Sequence, residues 1–359
     1  MIRSERQSHI LHEIDLRGSL SVASFAQRFG VSGMTVRRDL AELESQGLVE
    51  RVHGGATRPR ARGAGTARRL SPLATIGMVV PSAKYYFPDV IRGAQAALLD
   101  SGARLVLGIS DYSSELEREQ IARLIGNGID GLLVTPSRSM AADPATYLLL
   151  QEAPVPVVVV ERAIDTARTP LRLSAVRSDH AYGAELAVTH LVAKGHRSIA
   201  LAWRDSPTAP LVQEGYRRGL DAAGMRSAAI ELELTAADAA VDELRRRLNT
   251  LLDTCLTHDV DAVIVLPDEA AISLLDVAED RQVRVPADLV VMAYDDEVAS
   301  LASVPLTAIA PPKYDVGFLA AQTCLDRVLA RARGLPSPVS ARVGLLPALS
   351  ERESSRIPR

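Results

Sequence analysis

Cysteine is scarce in this chain, with only Cys255 and Cys324 among 359 residues. Both lie in apolar, helix-like stretches away from any second metal-binding pattern, so we interpret them as reduced, buried thiols of a cytoplasmic protein. An uncharged apolar run of about 18 residues, which a membrane span requires, is also missing. The N-terminal segment has no apolar core of the kind that marks a secretory signal. These absences argue against a disulfide-stapled, membrane-spanning or secreted protein.

Sequence motifs for catalysis and metal binding are absent as well. The chain has no Walker-type phosphate loop, no H-E-x-x-H pair, no nucleophile elbow and no cluster of cysteine and histidine with metal-binding spacing. Its seven histidines are scattered along the sequence. We therefore expect no catalytic residues, no metal and no cofactor, and an enzyme is the less favoured class of protein.

Positive charge is concentrated at one end of the chain. Residues 1–70 carry twelve arginines, no lysine and seven acids, a net charge of +5, whereas the rest carries 29 basic and 37 acidic residues, a net charge of −8. This asymmetry suggests that the N-terminal part meets a polyanion. Composition alone fits a solvated arginine-rich surface equally well.

Two changes of pattern divide the chain into three parts. Residues 1–56 have the pattern of a compact helical unit with a small hairpin. Residues 57–73 are rich in Gly, Pro, Ala and Arg and have no apolar periodicity, which predicts a basic linker. In residues 74–359, short β-branched runs such as "ATIGMVV" and "DAVIVLP" alternate with longer helical patterns. This alternation predicts two α/β lobes, each with a parallel sheet covered on both faces.

The stretch "VSGMTVRRDL" (residues 31–40) predicts a helix with one basic face. Ser32 suits its N-cap. Three apolar residues recur at helical spacing and define the buried face: Val36, Leu40 and Leu43. Thr35, Arg37 and Arg38 then lie on the opposite face. A helix before this one and the alternating "LVERVHGGAT" after it complete a winged helix-turn-helix, a motif whose second helix enters the major groove of DNA.

Residues 5–56 closely resemble the DeoR-type DNA-binding domain. The likeness rests on "RQSHIL", "FGVS", "TVRRDL", "LESQGL" and the closing "RVHGGA", and Phe25-Ala26 departs from the family's usual pair. The resemblance implies DNA contacts at seven residues: Ser32, Met34, Thr35, Arg37, Arg38, Arg51 and His53. A turn-stabilising role beside Gly54 is the alternative for His53.

Most of residues 74–350 resemble the effector domain of the LacI/GalR family. The most specific pieces are "KGHRS", "EGYRRG" and "MAYDDE". The resemblance implies two Rossmann-like lobes of the type I periplasmic-binding-protein kind, joined by three crossovers, with a small molecule bound between them. The implied lobe boundaries, which are approximate, are 74–174 and 312–332 for lobe 1, and 175–311 and 333–359 for lobe 2.

Residues at the ends of the predicted strands are the candidate effector contacts, because parallel α/β sheets bind ligands at their carboxyl edge. Tyr85, Tyr86 and Phe87 offer aromatic faces for stacking on a sugar or base ring. Asp295 can accept hydrogen bonds from hydroxyl groups. The full set is Tyr85, Tyr86, Phe87, Asp111, Ser137, Glu161, Arg162, Asp179, Asp268 and Asp295. For Asp179 a helix N-cap is the favoured alternative.

Three positions depart from the pattern that is common in sugar-binding members of the LacI/GalR family. Val212 stands where an arginine is common, Pro267-Asp268 where Asn-Asp is frequent, and Pro311 where a glutamine is common. Three polar contacts are thus replaced, and a less polar or unusual effector becomes an alternative to an ordinary hexose.

Together the two resemblances imply a ligand-responsive, DNA-binding regulator that represses a carbohydrate or related catabolic operon. The expected partners are double-stranded operator DNA, a small-molecule effector (a sugar or related polyol or nucleoside) and a second copy of the chain in a homodimer, with no membrane. The alternatives are a DeoR-type regulator that responds to a phosphorylated sugar, and an α/β enzyme. "ARRL" (residues 67–70) has the form of a minor-groove hinge motif, and a flexible basic tether is the favoured reading of it.

Overall fold

The computed structural model describes these residues: 6–7, 10, 14, 19–45, 48–52, 54–57, 73–99, 101–164, 170–225, 229–235 and 241–356. The chain divides into two compact units, Met1–Leu70 and Ser71–Arg359. Within the described ranges, every helix is too short or too polar to cross a membrane.

The first unit combines helices with a small antiparallel sheet. Its helices are α1 (Val22–Phe29) and α2 (Gly33–Ser45), and residues 6, 7, 10 and 14 of the expected preceding helix are also helical. Its strands are β1 (Ser19–Ser21), β2 (Glu50–Val52) and β3 (Gly55–Thr57), in the order β1-β3-β2. This is the winged helix-turn-helix predicted from the sequence.

Glycine and a shared core fix the angle between the two helices. Gly30 ends α1 with a φ of 63°, a left-handed conformation that suits glycine. The helices and the sheet then enclose one apolar core, whose most buried members are Ile10, Ile14, Phe25, Val36, Leu40, Leu43, Val49 and Ala56. The buried face of α2 is therefore the predicted one.

Lobe 1 of the second unit is built on a fully parallel six-stranded sheet. Its strands are β4 (Thr75–Val80), β5 (Arg104–Ile109), β6 (Gly131–Val134), β7 (Val157–Val160), β8 (Ser174–Ser178) and β14 (Arg342–Leu345), in the order β14-β8-β7-β6-β4-β5. Its helices are α3 (Phe87–Leu99), α4 (Ser114–Gly126), α5 (Pro144–Gln151) and α10 (Lys313–Ala332).

Lobe 2 repeats the design with one antiparallel edge strand. Its strands are β9 (Ile199–Trp203), β10 (Ile230–Glu233), β11 (Ala262–Leu266), β12 (Val290–Tyr294), β13 (Thr307–Ala310) and β15 (Ala348–Ser350), in the order β10-β9-β11-β12-β13-β15. Only the β13–β15 pair of this sheet is antiparallel. Its helices are α6 (His180–Ala193), α7 (Ala209–Ala222), α8 (Val241–Thr257) and α9 (Asp268–Asp280).

Both faces of each sheet are covered, as the unbroken apolar runs predict. Met78 and Val158 of lobe 1 belong to one apolar cluster, whereas their neighbours Val79 and Val159 belong to another. Side chains of successive strand residues point to opposite faces, so each sheet lies between two layers of buried side chains. Cys255 and Cys324 are buried and form no disulfide, as expected.

The chain crosses between the lobes three times, and two crossovers lie later than expected. The one between Ala310 and Lys313 agrees with the expected boundary at 311/312. However, β8 extends lobe 1 to Ser178 instead of 174, and β14 keeps 342–345 in lobe 1 instead of lobe 2. The physical reason is pairing, because β8 joins the sheet edge beside β7 and β14 joins beside β8.

Helices α3 and α10 meet at two glycines. A Cβ atom on Gly93 would lie 1.9 Å from the carbonyl oxygen of Tyr314, and one on Gly317 would lie 1.9 Å from that of Val90. Only glycine permits this approach, because no larger residue fits such a contact. The contact fixes the start of α10, where Lys313 lies, against the start of α3.

Candidate functional site

The exposed face of α2 carries the residues predicted to contact DNA. Ser32 caps the helix, since its Oγ accepts the backbone N–H of Thr35 at 3.1 Å and lies 2.8 Å from Thr35 Oγ1. Met34 is 71% exposed, and Arg37 and Arg38 are exposed as well. The cap holds Thr35, and the other three side chains are available to an external partner.

Asp39, the acid of residues 31–40, forms an ion pair within the first unit. Asp39 is buried, and its carboxylate accepts hydrogen bonds from the guanidinium of Arg6. It therefore does not reduce the positive charge of the neighbouring exposed arginines. The backbone of Arg51 lies in β2, but its side chain and the whole of His53 lie outside the described residues.

A cavity of about 470 Å³ lies between the two lobes of the second unit. Small-molecule sites have volumes of about 300–1,000 Å³. The residues that line it are Ser82, Lys84, Tyr85, Tyr86, Phe87, Tyr112, Glu161, Arg162, His180, Arg204, Asp205, Ser206, Pro207, Thr208, Leu266, Pro267, Glu269 and Asp295. Most of them follow the carboxyl ends of β4, β5, β7, β9, β11 and β12, where ligands of parallel sheets bind.

Six of the ten predicted effector contacts line this cavity: Tyr85, Tyr86, Phe87, Glu161, Arg162 and Asp295. The other four do not. Ser137 is buried and donates to Glu117 at 2.7 Å. Asp179 caps α6 by accepting the backbone N–H of Tyr182, which is the favoured alternative for this residue. Asp111 is exposed outside the lining, and Asp268 is fully buried behind it.

Glu161 is the centre of a hydrogen-bond network at the lobe 1 end of the cavity. Its carboxylate accepts bonds from Tyr86 Oη at 2.8 Å, from Ser178 Oγ at 2.8 Å and from the backbone N–H of Ser178 at 2.9 Å. His180 Nε2 lies 3.7 Å away. Burial by itself would raise the pKa of Glu161, but His180 and these donors outweigh burial and hold that pKa below its usual range.

Asp295 has the opposite electrostatic environment at the lobe 2 end. It is buried and lies near Asp268, and Lys313 offsets only part of their effect. Burial and the second carboxylate together raise the pKa of Asp295 well above its ordinary value. The cavity thus has an acid of lowered pKa on one lobe and, on the other, an acid that keeps its proton to a higher pH than an ordinary aspartate.

Lys313 links the start of α10 to the same loop of lobe 2. Its ammonium donates to the backbone carbonyl of Asp295 and pairs with the carboxylate of Glu297. It also lies 5.2 Å from the centroid of the Tyr86 ring, a cation–π distance. Lys313 is only 7% exposed, so it organises the walls of the site rather than lining it.

The cavity also contains residues that were not predicted from the sequence. Lys84, Tyr112, His180 and Glu269 lie beside predicted positions, and the loop after β9 contributes Arg204 to Thr208. The "WRDSPT" segment follows a strand, so the rule that identified the other strand ends would have found it. Among the three departures, Val212 is buried in the core of lobe 2, whereas Pro267 lines the cavity.

Comparison with known proteins connects both units to transcriptional regulators. Residues 188–355 match the family model of a periplasmic binding protein-like domain, and residues 6–62 match that of a DeoR-like helix-turn-helix domain. The regulator CelR of Thermobifida fusca is 31% identical over 250 residues, covering 68% of this chain and 70% of the relative. The arabinose metabolism transcriptional repressor of Geobacillus stearothermophilus is 27% identical over 317 residues, covering 86% and 84%.

The likeness extends to three dimensions. The structure of the regulator CelR in complex with cellobiose matches with a TM-score of 0.64 and 26% identity, covering 90% of this chain and 91% of that chain. A helix-turn-helix unit followed by a two-lobed domain with a ligand-sized cavity defines a ligand-responsive, DNA-binding transcriptional regulator. The chain belongs to the LacI family of such regulators.

The raised pKa of Asp295 predicts how the stability of the protein depends on pH. Its folded-state pKa is raised, so the folded chain binds this proton more tightly than the unfolded chain, whose aspartates titrate near about 3.9. The stabilisation of the folded state by this bound proton is fully present below about pH 3.9 and is lost as the pH rises towards the folded-state pKa of Asp295. Asp295→Asn, which cannot titrate, should therefore gain stability relative to wild type as the pH rises from about 4 to about 8, by up to about 1.4 kcal/mol per pH unit.

Urea denaturation of both proteins across this pH range, followed by the fluorescence of the single Trp203 in lobe 2, measures the difference. Subtracting the wild-type curve removes the titration of the groups that do not interact with Asp295. A difference in unfolding free energy that stays constant with pH would show that Asp295 is not perturbed.

Proposed function

We propose that this protein represses a carbohydrate-utilisation operon from the cytoplasm. In this proposal a homodimer binds double-stranded operator DNA through a DeoR-type winged helix-turn-helix at residues 1–56, joined by the basic linker 57–73 to the sensor domain at 74–359. A sugar or related polyol binds between the lobes and changes the affinity for DNA. The observation that carries the proposal is the pairing of an exposed arginine helix with a ligand-sized cavity in one chain.

The support for DNA recognition is the exposed part of α2. Arg37 and Arg38 are adjacent, exposed and close to the N-terminal end of the second helix of the motif, the end that contacts base edges in helix-turn-helix proteins. Arginine can contact guanine O6 and N7 with two hydrogen bonds. Met34, beside them, offers an apolar surface for a thymine methyl group, and Ser32 and Thr35 offer hydroxyl groups for phosphate.

Arg37→Ala and Arg38→Ala together should abolish sequence-specific binding. A duplex selected from a random library with the wild-type protein serves as the operator. Each specific arginine contact is worth about 1–3 kcal/mol, so the double variant should lose at least about 30-fold in affinity, measured by fluorescence anisotropy.

Arg284→Ala is the matched control, because Arg284 is exposed on lobe 2 and pairs only locally with Asp288. The affinity of the Arg284→Ala variant for the selected duplex should equal that of wild type. If the double variant still prefers the selected duplex over a scrambled one, α2 is not the recognition helix.

The support for a sugar effector is the chemistry of the cavity. Hydrogen-bonding side chains from both lobes surround it, and Tyr85, Tyr86 and Tyr112 supply aromatic surfaces against which a sugar ring can pack. One relative of this chain is named for arabinose metabolism, and the structure of another, CelR, is a complex with cellobiose. Lys84, Arg162 and Arg204 line the same cavity, so a phosphorylated sugar is the second candidate.

Thermal unfolding with a panel of L-arabinose, D-ribose, D-xylose, cellobiose and the 5-phosphates of the pentoses tests this assignment. A ligand at 100 times its dissociation constant stabilises the folded protein by about 2.7 kcal/mol, so one panel member should raise the melting temperature by several degrees. Tyr112→Ala should reduce that rise without changing the ligand-free melting temperature, because Tyr112 is half exposed in the mouth of the cavity. A panel without any stabilising member would contradict the sugar assignment.

A further inference from the structure

One side chain of lobe 1 already occupies the acidic end of the cleft. Tyr85, in the loop after β4, reaches across to lobe 2 and donates its hydroxyl hydrogen bond to Asp268, and its Oη also lies 3.3 Å from Asp295 Oδ2. Its backbone has a φ of 57°, a left-handed conformation that is uncommon for a bulky residue and typical of functional sites. A protein hydroxyl thus sits where Asp295 was expected to receive an effector hydroxyl.

The acceptor of this bond is rigid. The second carboxylate oxygen of Asp268 accepts three backbone N–H groups, from Glu297 at 2.7 Å, Val298 at 2.8 Å and Ala299 at 3.1 Å. Asp268 itself is fully buried at the start of α9. Its position is therefore fixed by lobe 2, and Tyr85 can keep the hydrogen bond only while the two lobes stay close.

A second contact between the lobes reinforces the first. Lys313 belongs to α10, which packs in lobe 1, and its ammonium contacts the backbone of Asp295 and the carboxylate of Glu297, both in lobe 2. Lys313 and Asp295 are buried and Glu297 is half-buried, so solvent screens these contacts only in part. Both contacts thus act on the loop of lobe 2 at residues 295–299: Lys313 contacts it directly, and Tyr85 lies near Asp295 and bonds to Asp268, which holds the loop.

The cleft keeps its volume while Tyr85 is in place. The cavity of about 470 Å³ is measured with the Tyr85 ring as part of its lining. A monosaccharide can therefore bind beside Tyr85 without displacing it.

We propose that Tyr85 is an internal ligand: its hydroxyl bridges lobe 1 to Asp268 and Asp295 of lobe 2 and holds the cleft closed before any effector binds. The effector then enters a cleft that is already assembled, and the Asp268–Asp295 subsite is not available to it. The proposal rests on the proposed function only in taking this cleft as the effector site. Tyr85 is in this sense a positioning residue, because it acts through the relative placement of the two lobes.

Single-molecule energy transfer between the lobes of the ligand-free protein tests this bridge. Dyes are attached at Glu119→Cys on α4 and Glu279→Cys on α9, both exposed positions. The native Cys255 and Cys324 react poorly because burial raises the pKa of each thiol to about 12. Labelled chains are diluted into an excess of unlabelled protein, so that each assembly carries one dye pair.

Wild type should show one population at the distance that the closed structure gives for the two sites. Tyr85→Phe, which keeps the ring and removes the hydroxyl, should shift at least half of the molecules to a longer distance. Tyr314→Phe is the matched control, because Tyr314 is exposed on α10, stacks on Phe318 and contacts neither acid. It should leave the distribution unchanged.

An unchanged distribution in Tyr85→Phe would overturn the proposal, and so would the same opening in Tyr314→Phe. Circular dichroism and the melting temperature of each variant verify that the chain is folded in the measurement. Neither a sugar nor DNA is present, so the outcome does not depend on whether the sugar assignment or the operator assignment is correct.

Discussion

Parallel strand pairing is the interaction on which the second unit depends. Two neighbouring parallel strands need a long connection that brings the chain back to the edge where the first strand began. Here these connections contain the helices that cover both faces of each sheet. All strand ends of one kind then lie at one edge, and the loops that follow them gather there. The two loop-bearing edges face each other, since residues from both of them line one cavity. The cavity is the space that this arrangement leaves between the lobes.

The two acids at opposite ends of this cleft have pKa values shifted in opposite directions. His180 and the hydrogen bonds that Glu161 accepts lower the pKa of Glu161 despite burial, whereas burial and the neighbouring Asp268 raise the pKa of Asp295. Lys313 then lies between the two regions, near the ring of Tyr86 and the backbone of Asp295. At the lobe 1 end a ligand therefore meets a carboxylate that already accepts hydrogen bonds from the protein, and at the lobe 2 end the acid pair is already bridged by Tyr85.

The sequence predicted whatever depends on local pattern. The buried face of α2, the cap at Ser32 and the exposed Arg37 and Arg38 follow from helical periodicity and capping chemistry. Eight of the twelve strands in the two large sheets follow from apolar runs, and strand ends identified six residues of the cavity lining. A consensus of spacing and residue type was enough because each of these features involves near neighbours in the chain.

Features that depend on distant partners were not predictable in this way. Ser137 follows a strand as Glu161 does. However, Glu117 of α4 accepts the hydrogen bonds of Ser137, and Ser137 lies outside the cavity lining. The edge strand β14 joins lobe 1 by pairing with β8, more than 160 residues earlier in the chain, and no local signal marks this partner. The bridge from Tyr85 to Asp268 likewise joins two lobes whose relative placement no local pattern specifies.

In the proposed regulator the cavity and the arginine helix are coupled, so that one chain binds a small molecule and changes its affinity for DNA. The direct measurement is the affinity of the full-length protein for its selected duplex, followed by fluorescence anisotropy while the stabilising sugar is titrated. Coupling free energies between such sites are about 1–3 kcal/mol, so the dissociation constant should change by about 5- to 150-fold, and saturating DNA should change the sugar affinity by the same factor. An operator affinity that is identical at every sugar concentration would contradict the coupling between the cavity and DNA binding.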